Sequence, residues 1–267
     1  MAKQKGHIKY VGTLGEVRHF KIKNKSGYFA GLKGGPTGAQ VKNAPEFERT
    51  RENMNEFGGC AKAGKSVRTA LAQLMNQMSD SGLTGRLTRI MKKINLEDQS
   101  EARGYRAILI STQRQYLKGL QFNKYVSFDM IFRAPYVIMP DAGRNKADLN
   151  IPVFNPGVLI SAPSGATHFR LVLAIAALSD FAYNAASNSY DPIDPTLNEL
   201  KDVQYSPYQE LGADTPVVDL SAELPEAPAM TADVSLLVCV GIEFYQKVGA
   251  NYFLFSSGNC MKLVDVI

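Results

Sequence analysis

The sequence predicts an α+β fold: an N-terminal β-hairpin arm and small helical region, followed by an antiparallel β-sandwich. Three observations carry that expectation. Apolar residues recur at spacings of three and four through residues 45–94 and at every second position after residue 120, the periods of amphipathic helices and of half-buried strands. The later segments are separated by Gly-, Asn- and Ser-containing turns with no helical stretch between them, which favours antiparallel pairing over a βαβ succession. A chain of 267 residues with 45% hydrophobic and 21% charged residues can bury a sizeable core and is not disordered by composition.

Taken in order, Ile8, Tyr10, the Gly12-Thr13-Leu14-Gly15 turn, Val17, Phe20, Ile22, Tyr28 and Phe29 read as short strands of an arm. Too little of this segment is apolar on one face for it to fold alone, so it is expected to lie against another element or another copy. Gly34-Gly35-Pro36-Thr37-Gly38 is a loop by composition. Pro45 with Glu46 and Glu48 opens a helix carrying Phe47, Met54 and Phe57, which Gly58-Gly59 is expected to interrupt. A second helix is expected from Cys60 through Ala63, Val67, Leu71 and Leu74 to Met78, and a third carries Leu83, Leu87, Ile90 and Ile94 on one stripe. Beyond residue 120, Phe128-Met130-Phe132, Phe169–Ile175, Val218–Leu224, Val234–Phe244, Tyr252–Phe255 and Met261–Ile267 read as strands, and the Asp-, Pro- and Tyr-rich stretch 184–216 as a long contact loop. The expected division is 1–120, a basic arm plus helical region, and 121–267, the sandwich.

Charge is unevenly placed. Residues 1–120 hold 22 Lys and Arg against 9 Asp and Glu, a balance of +13, whereas residues 121–267 hold 8 against 16, a balance of −8. Lys62, Lys65, Arg68, Arg86, Arg89, Lys92 and Lys93 fall off the apolar stripes of the helices. Such a face can meet phosphates, or the acidic surface of another copy.

The motifs that would carry chemistry do not find their context. Gly59-Cys60-Ala61-Lys62-Ala63-Gly64-Lys65-Ser66 matches the phosphate-cradling G-x-x-x-x-G-K-S pattern, but that loop must hang between a buried parallel strand and a helix. The preceding Arg51–Phe57 is polar and helical in pattern, so the segment is read as a helix start with small residues for close packing. His7, His19 and His168 have no ligand partner at metal spacing, and Cys60, Cys239 and Cys260 are too scattered for a disulfide framework or a zinc site. No cofactor is expected. No run approaches the ~18 apolar residues of a membrane span, and the start lacks the apolar stretch of a conventional secretory signal. The expectation is therefore synthesis in the cytoplasm, with any release occurring as an assembled particle.

Gly12-Thr13-Leu14-Gly15, Gly34-Gly35-Pro36-Thr37, Arg49-Thr50-Arg51-Glu52-Asn53 with Glu56-Phe57-Gly58, and Ser100-Glu101-Ala102-Arg103-Gly104 together resemble segments of an uncharacterised family of small, signal-less bacterial proteins. The resemblance implies no activity and supplies no catalytic residues.

The functional expectation is a non-enzymatic structural protein. It would assemble with copies of itself into a filament, tube or phage-like particle, through the arm (Tyr10, Phe20, Tyr28, Phe29) and the opposed charge surfaces. The alternative is a nucleic-acid-associated protein using the seven helical cations. An enzyme with a site built from scattered residues is the third reading.

Overall fold

A computed structural model describes all 267 residues and groups them into two compact units, Met1–Arg51 and Glu52–Ile267. The division expected at residue 120 follows composition; the contacts group the helical residues after Arg51 with the later strands.

The first unit holds strands β1 (Ala2–Lys3), β2 (Gly12–Leu14), β3 (Val17–Phe20) and β4 (Phe29–Leu32), ordered β1-β4-β3-β2 in one antiparallel sheet. A two-residue turn at Gly15-Glu16 joins β2 to β3, whose ends pair as Leu14 opposite Val17. The Gly34–Gly38 stretch ends in a helix cap. Thr37 and Gln40 form a reciprocal capping box on α1 (Gly38–Asn43), and the Arg51 guanidinium donates to the carbonyls of Val41 and Ala44 at the other end, at 3.0 and 2.9 Å. No residue from Met1 to Arg51 is buried.

The second unit begins in α2 (Glu48–Ala70) and continues through α3 (Ala72–Met78) and α4 (Leu83–Glu97). Here two expectations are corrected. Gly58-Gly59 does not interrupt the helix, and the break falls at buried Leu71 (φ −103°, ψ 20°), so the expected 60–78 helix is two. A Cβ on Gly59 would lie 2.4 Å from Cγ of Tyr190. The glycine is therefore a seat for an aromatic ring, and that packing outweighs its poor helix propensity of about 1 kcal/mol.

After the helices come α5 (Phe128–Ile131), β5 (Val137–Pro140), β6 (Lys146–Ile151), α6 (Pro156–Leu159), β7 (His168–Ser179), β8 (Phe181–Asn184), β9 (Ser189–Pro192), β10 (Lys201–Tyr205), β11 (Gln209–Glu210), β12 (Val218–Glu223), β13 (Val234–Val248), β14 (Asn251–Leu254) and β15 (Cys260–Val266). The main sheet runs β10-β7-β13-β14, with β11 also on β7 and β15 also on β13; the second runs β12-β6-β5. All pairings are antiparallel. The α+β class with a sandwich-like sheet is thus the fold.

Two cores explain the burial. Leu171, Leu173 and Ile175 of β7 and Leu236, Val238 and Val240 of β13 face Leu149, Ile151, Val218, Leu220 and Ala222 of the second sheet. On the opposite face Val172, Ala174, Ala176, Leu237 and Cys239 meet Val67, Leu74, Leu87 and Met91 of the helices. Covered on both sides, β7 and β13 are apolar at nearly every position rather than at alternate ones.

Two further segments differ from their sequence reading. Phe128-Met130-Phe132 is not a strand: Phe128 lies in α5 and Phe132 caps it, their rings 5.4 Å apart and both within 6.3 Å of Tyr136. An aromatic cluster at i, i+4 spacing prevails over the two-residue alternation and leaves Met130 exposed. The 184–216 stretch is built rather than looped, supplying β9, β10 and β11. Its Asp194 takes up the Thr196 and Leu197 amides, each at 3.1 Å, and Tyr190 and Leu197 anchor it in the core.

Candidate functional site

The seven cations predicted on the helices separate into two groups. Lys62, Arg86 and Lys92 are engaged within the molecule. Lys62 donates to Ser189 Oγ (2.6 Å) and the Tyr190 carbonyl (2.9 Å) and pairs with Asp191 at 3.4 Å. Arg86 grips Asp80 at 2.9 and 2.7 Å and donates to the carbonyls of Gln121 and Phe122. Lys92 bonds the buried Glu56 carboxylate and Asn95 Oδ1. Lys65, Arg89 and Lys93 remain exposed on the helical exterior, and Arg68 is half-buried.

Lys92 belongs to a network that the sequence reading missed. Burial disfavours a charge on Glu56, but Lys92, the Gly104 amide and Arg106 together hold its carboxyl below the usual range. The Gly104 N–H donates to Glu56 Oε1 at 2.8 Å, the Asn55 amide donates to the Gly104 carbonyl at 2.7 Å, and Arg103 pairs with Glu52 at 3.3 Å. Gly104 has φ +96°, and a Cβ there would crowd the Glu52 backbone at 3.2 Å, so this position demands glycine. The segments around Glu52-Asn53 and Arg103-Gly104 therefore face each other: both are halves of one clasp between α2 and the loop after α4. Their joint presence was the signal available in the sequence.

Nothing in this clasp is arranged as a nucleophile. Burial pushes the neighbouring Cys60 thiol up to about 12, where no thiolate forms near neutrality, and Cys260 is likewise pushed up to about 12 by burial. The phosphate-loop match is settled by geometry: residues 59–66 are helix interior, so their amides serve i→i−4 bonds instead of a cradle. Ser66 is buried, accepting from Asn198 at 3.3 Å. No group of three or more His, Cys, Asp or Glu is placed to hold a metal ion. His168 is buried beside Thr167 Oγ1 at 2.9 Å.

A second cluster also escaped the sequence reading. Arg170 pairs with buried Glu243 at 2.6 Å and lies 3.8 Å from the Tyr205 ring centroid, while the Tyr245 hydroxyl donates to Glu243 at 2.6 Å. Tyr208 stacks on Tyr252 at 3.9 Å. The 205–208 segment thus closes one end of the main sheet.

In the arm, Phe20 and Phe29 are directly opposite across β3 and β4, their rings 6.3 Å apart. Tyr10 meets His19 edge-on at 5.9 Å, and Lys21 lies 4.5 Å over Tyr28. These four aromatics support their own sheet. On the face opposite Phe20 and Phe29 runs a directly paired row, Leu14–Val17–Leu32, in which Val17 is half-buried and Leu14 and Leu32 are 72% and 81% exposed.

Two concavities open beside the start of α4 and share Thr84. One, about 570 Å³, is lined by Phe57, Ala61, Gly85 and Leu96 and rimmed by Arg89 and Lys93. The other, about 430 Å³, mixes polar and apolar side chains and includes Lys65 and Arg68. Comparison of the chain with protein-family models, curated proteins and solved structures finds no match, so function is argued from these residues alone. No helix is long and apolar enough to cross a membrane.

Proposed function

We propose that this chain is a structural building block that associates with copies of itself into a filament, tube or phage-like particle. The observation that carries the reading is the first unit: a four-stranded sheet in which no residue is buried and Leu14 and Leu32, at the two ends of the Leu14–Val17–Leu32 row, stand in solvent. A sheet with no covered face has little to stabilise it in isolation, and a partner supplies the missing layer.

Charge and shape supply a second contact. The groove at Phe57 and Leu96 has a basic rim, Arg89 and Lys93. The outer face of β6 and β12 presents Asp148, Asp219 and Glu223 around a single Lys146, which lies opposite Glu223 and pairs with Asp148 at 3.6 Å. Unlike surfaces meeting head to tail propagate an open polymer unless the rotation closes a ring.

The nucleic-acid alternative draws on the same excess of charge, concentrated in Met1–Arg51 with eleven Lys and Arg against three Asp and Glu. It loses three of its seven helical cations to internal bonds.

Light scattering and negative-stain imaging of nuclease-treated protein separate the two readings. Particles well above the 29.3 kDa protomer are expected, and Leu14→Ser with Leu32→Ser should reduce them to protomers. A strictly monomeric protein that binds DNA or RNA with affinity falling steeply with salt would sink the assembly reading.

A further inference from the structure

The smaller cavity beside α4 is lined by Lys65, Arg68, Thr69, Asn76, Ser81 and Thr84, over an apolar floor that includes Met75 and Leu83. Its most unusual feature is Arg68. The guanidinium is half-buried, and its Nε is sealed from solvent with no acceptor. A desolvated donor left without a partner is destabilising, and more so when the group is charged. Natural chains ordinarily give such an arginine a carboxylate or another oxyanion.

The cavity has one carboxylate, Asp80, and it is engaged elsewhere. Besides Arg86 it accepts from the amides of Gly82 at 2.6 Å and Lys124 at 2.8 Å. Burial opposes its charge, but the Lys124 amide, Arg86 and the Gly82 amide together keep its carboxyl below the usual range. Around Arg68, the hydroxyls of Thr69, Ser81 and Thr84 and the Asn76 amide make no hydrogen bond. Lys65 stands one helical turn before Arg68 on the same side of α2. The cavity therefore combines two cations with uncommitted neutral donors, while its only negative charge is already neutralised.

The geometry points to a binding site for a phosphate-class oxyanion in this cavity, as inorganic phosphate or a phosphate monoester. Arg68 provides the planar fork that suits two oxygens of such a group. Lys65 adds a second charge from the open side, and Thr69, Ser81, Thr84 and Asn76 surround the remaining oxygens. A volume of about 430 Å³ leaves room for a small organic substituent on the anion. Lys65 takes part through its side chain alone; the helical amides of Gly59 to Gly64 do not. The site requires no assembly and stands apart from the self-association proposed above.

Calorimetry and thermal denaturation of the full chain, with inorganic phosphate and with AMP at matched ionic strength, test the site. Saturable binding of one anion per protomer in the millimolar range or tighter is expected, with a Tm that rises with ligand concentration. Arg68→Met should weaken binding about tenfold or more yet leave the ligand-free protein as stable as before or more so, because it removes a donor nitrogen sealed from water without an acceptor. Arg68→Lys, which keeps the stem and the charge, should also weaken binding and covers the case in which methionine is not accommodated. Lys62→Gln, outside the cavity, should change nothing. Tighter binding of AMP than of phosphate assigns a monoester; equal binding assigns the free anion. No heat and no Tm change with either probe overturns the proposal. So does binding that both Arg68 variants leave intact, or a loss of ligand-free stability in both, which would make Arg68 a structural residue.

Discussion

Residues Met1–Arg51 and Glu52–Ile267 solve the problem of burial in opposite ways. The second unit covers both faces of β7 and β13, one with helices and one with a second sheet, and buries even its charged clasp at Glu56. The first unit makes four strands, a capped helix and an aromatic cross-strand pair without burying a single side chain. Local rules alone, turns and caps and pairing, can shape a segment; stability comes from apolar surface removed from water. That contrast places the buried core in one unit and exposed apolar side chains such as Leu14 and Leu32 in the other.

The sharpest way to break the comparison is at the clasp. Glu56→Ala leaves Lys92 and Arg106 facing a vacated site, and losing one partner of a buried ionic group typically costs about 3–5 kcal/mol. Chemical denaturation of protomers measures it. The pH dependence gives a second reading of the same group. Because the folded carboxyl of Glu56, and that of nearby buried Asp98, which accepts from the Ser100 and Ala107 amides, titrate below their ordinary values of 4.5 and 3.8, their contribution is complete above those values. It is lost as pH falls below them. Glu56→Gln should flatten the upper part of that acid transition. An unchanged denaturation midpoint in Glu56→Ala would mean that the clasp does not hold the second unit together.

A smaller effect is expected at Gly59. With a Cβ only 2.4 Å from the Tyr190 ring, Gly59→Ala must displace the tyrosine or bend α2, an overpacking that typically costs about 1–3 kcal/mol. Were the glycine there only as a helix breaker, alanine would instead stabilise the protein by up to about 1 kcal/mol, so the sign of the change decides.

The smallest effect belongs to the arm. Leu14→Ser and Leu32→Ser replace side chains that touch little, and the unfolding free energy of isolated protomers should stay within about 0.5 kcal/mol of the parent. A loss several times larger would show that the row is covered within the protomer.

Much of this was legible in the residues. The three helices followed from spacing, since Val67, Leu74, Leu87 and Ile94 needed only a common face, and β12 shows the alternation read for it, Val218, Leu220 and Ala222 inward with Asp219, Ser221 and Glu223 outward. The place of the seven cations off the apolar stripes could also be read, because that is a property of one helix. Which of them are free was not. Lys62 finds its partners near residue 190 and Lys92 its carboxylate on another helix, and no local pattern records such pairings.

The sequence by itself determined the period of most segments, the change of class near residue 120, the scarcity of apolar side chains in the arm and the absence of a context for the phosphate-loop match. These are consequences of neighbours within one turn or one strand. Only the tertiary structure decided that Gly59 lies inside a helix under Tyr190, that Phe128 begins a helix and not a strand, and that β13 is buried on both faces. It also decided that Nε of Arg68 is sealed from solvent without an acceptor. Each of these depends on what a distant part of the chain places against the residue, and burial is set by that second surface, which a one-dimensional pattern does not contain.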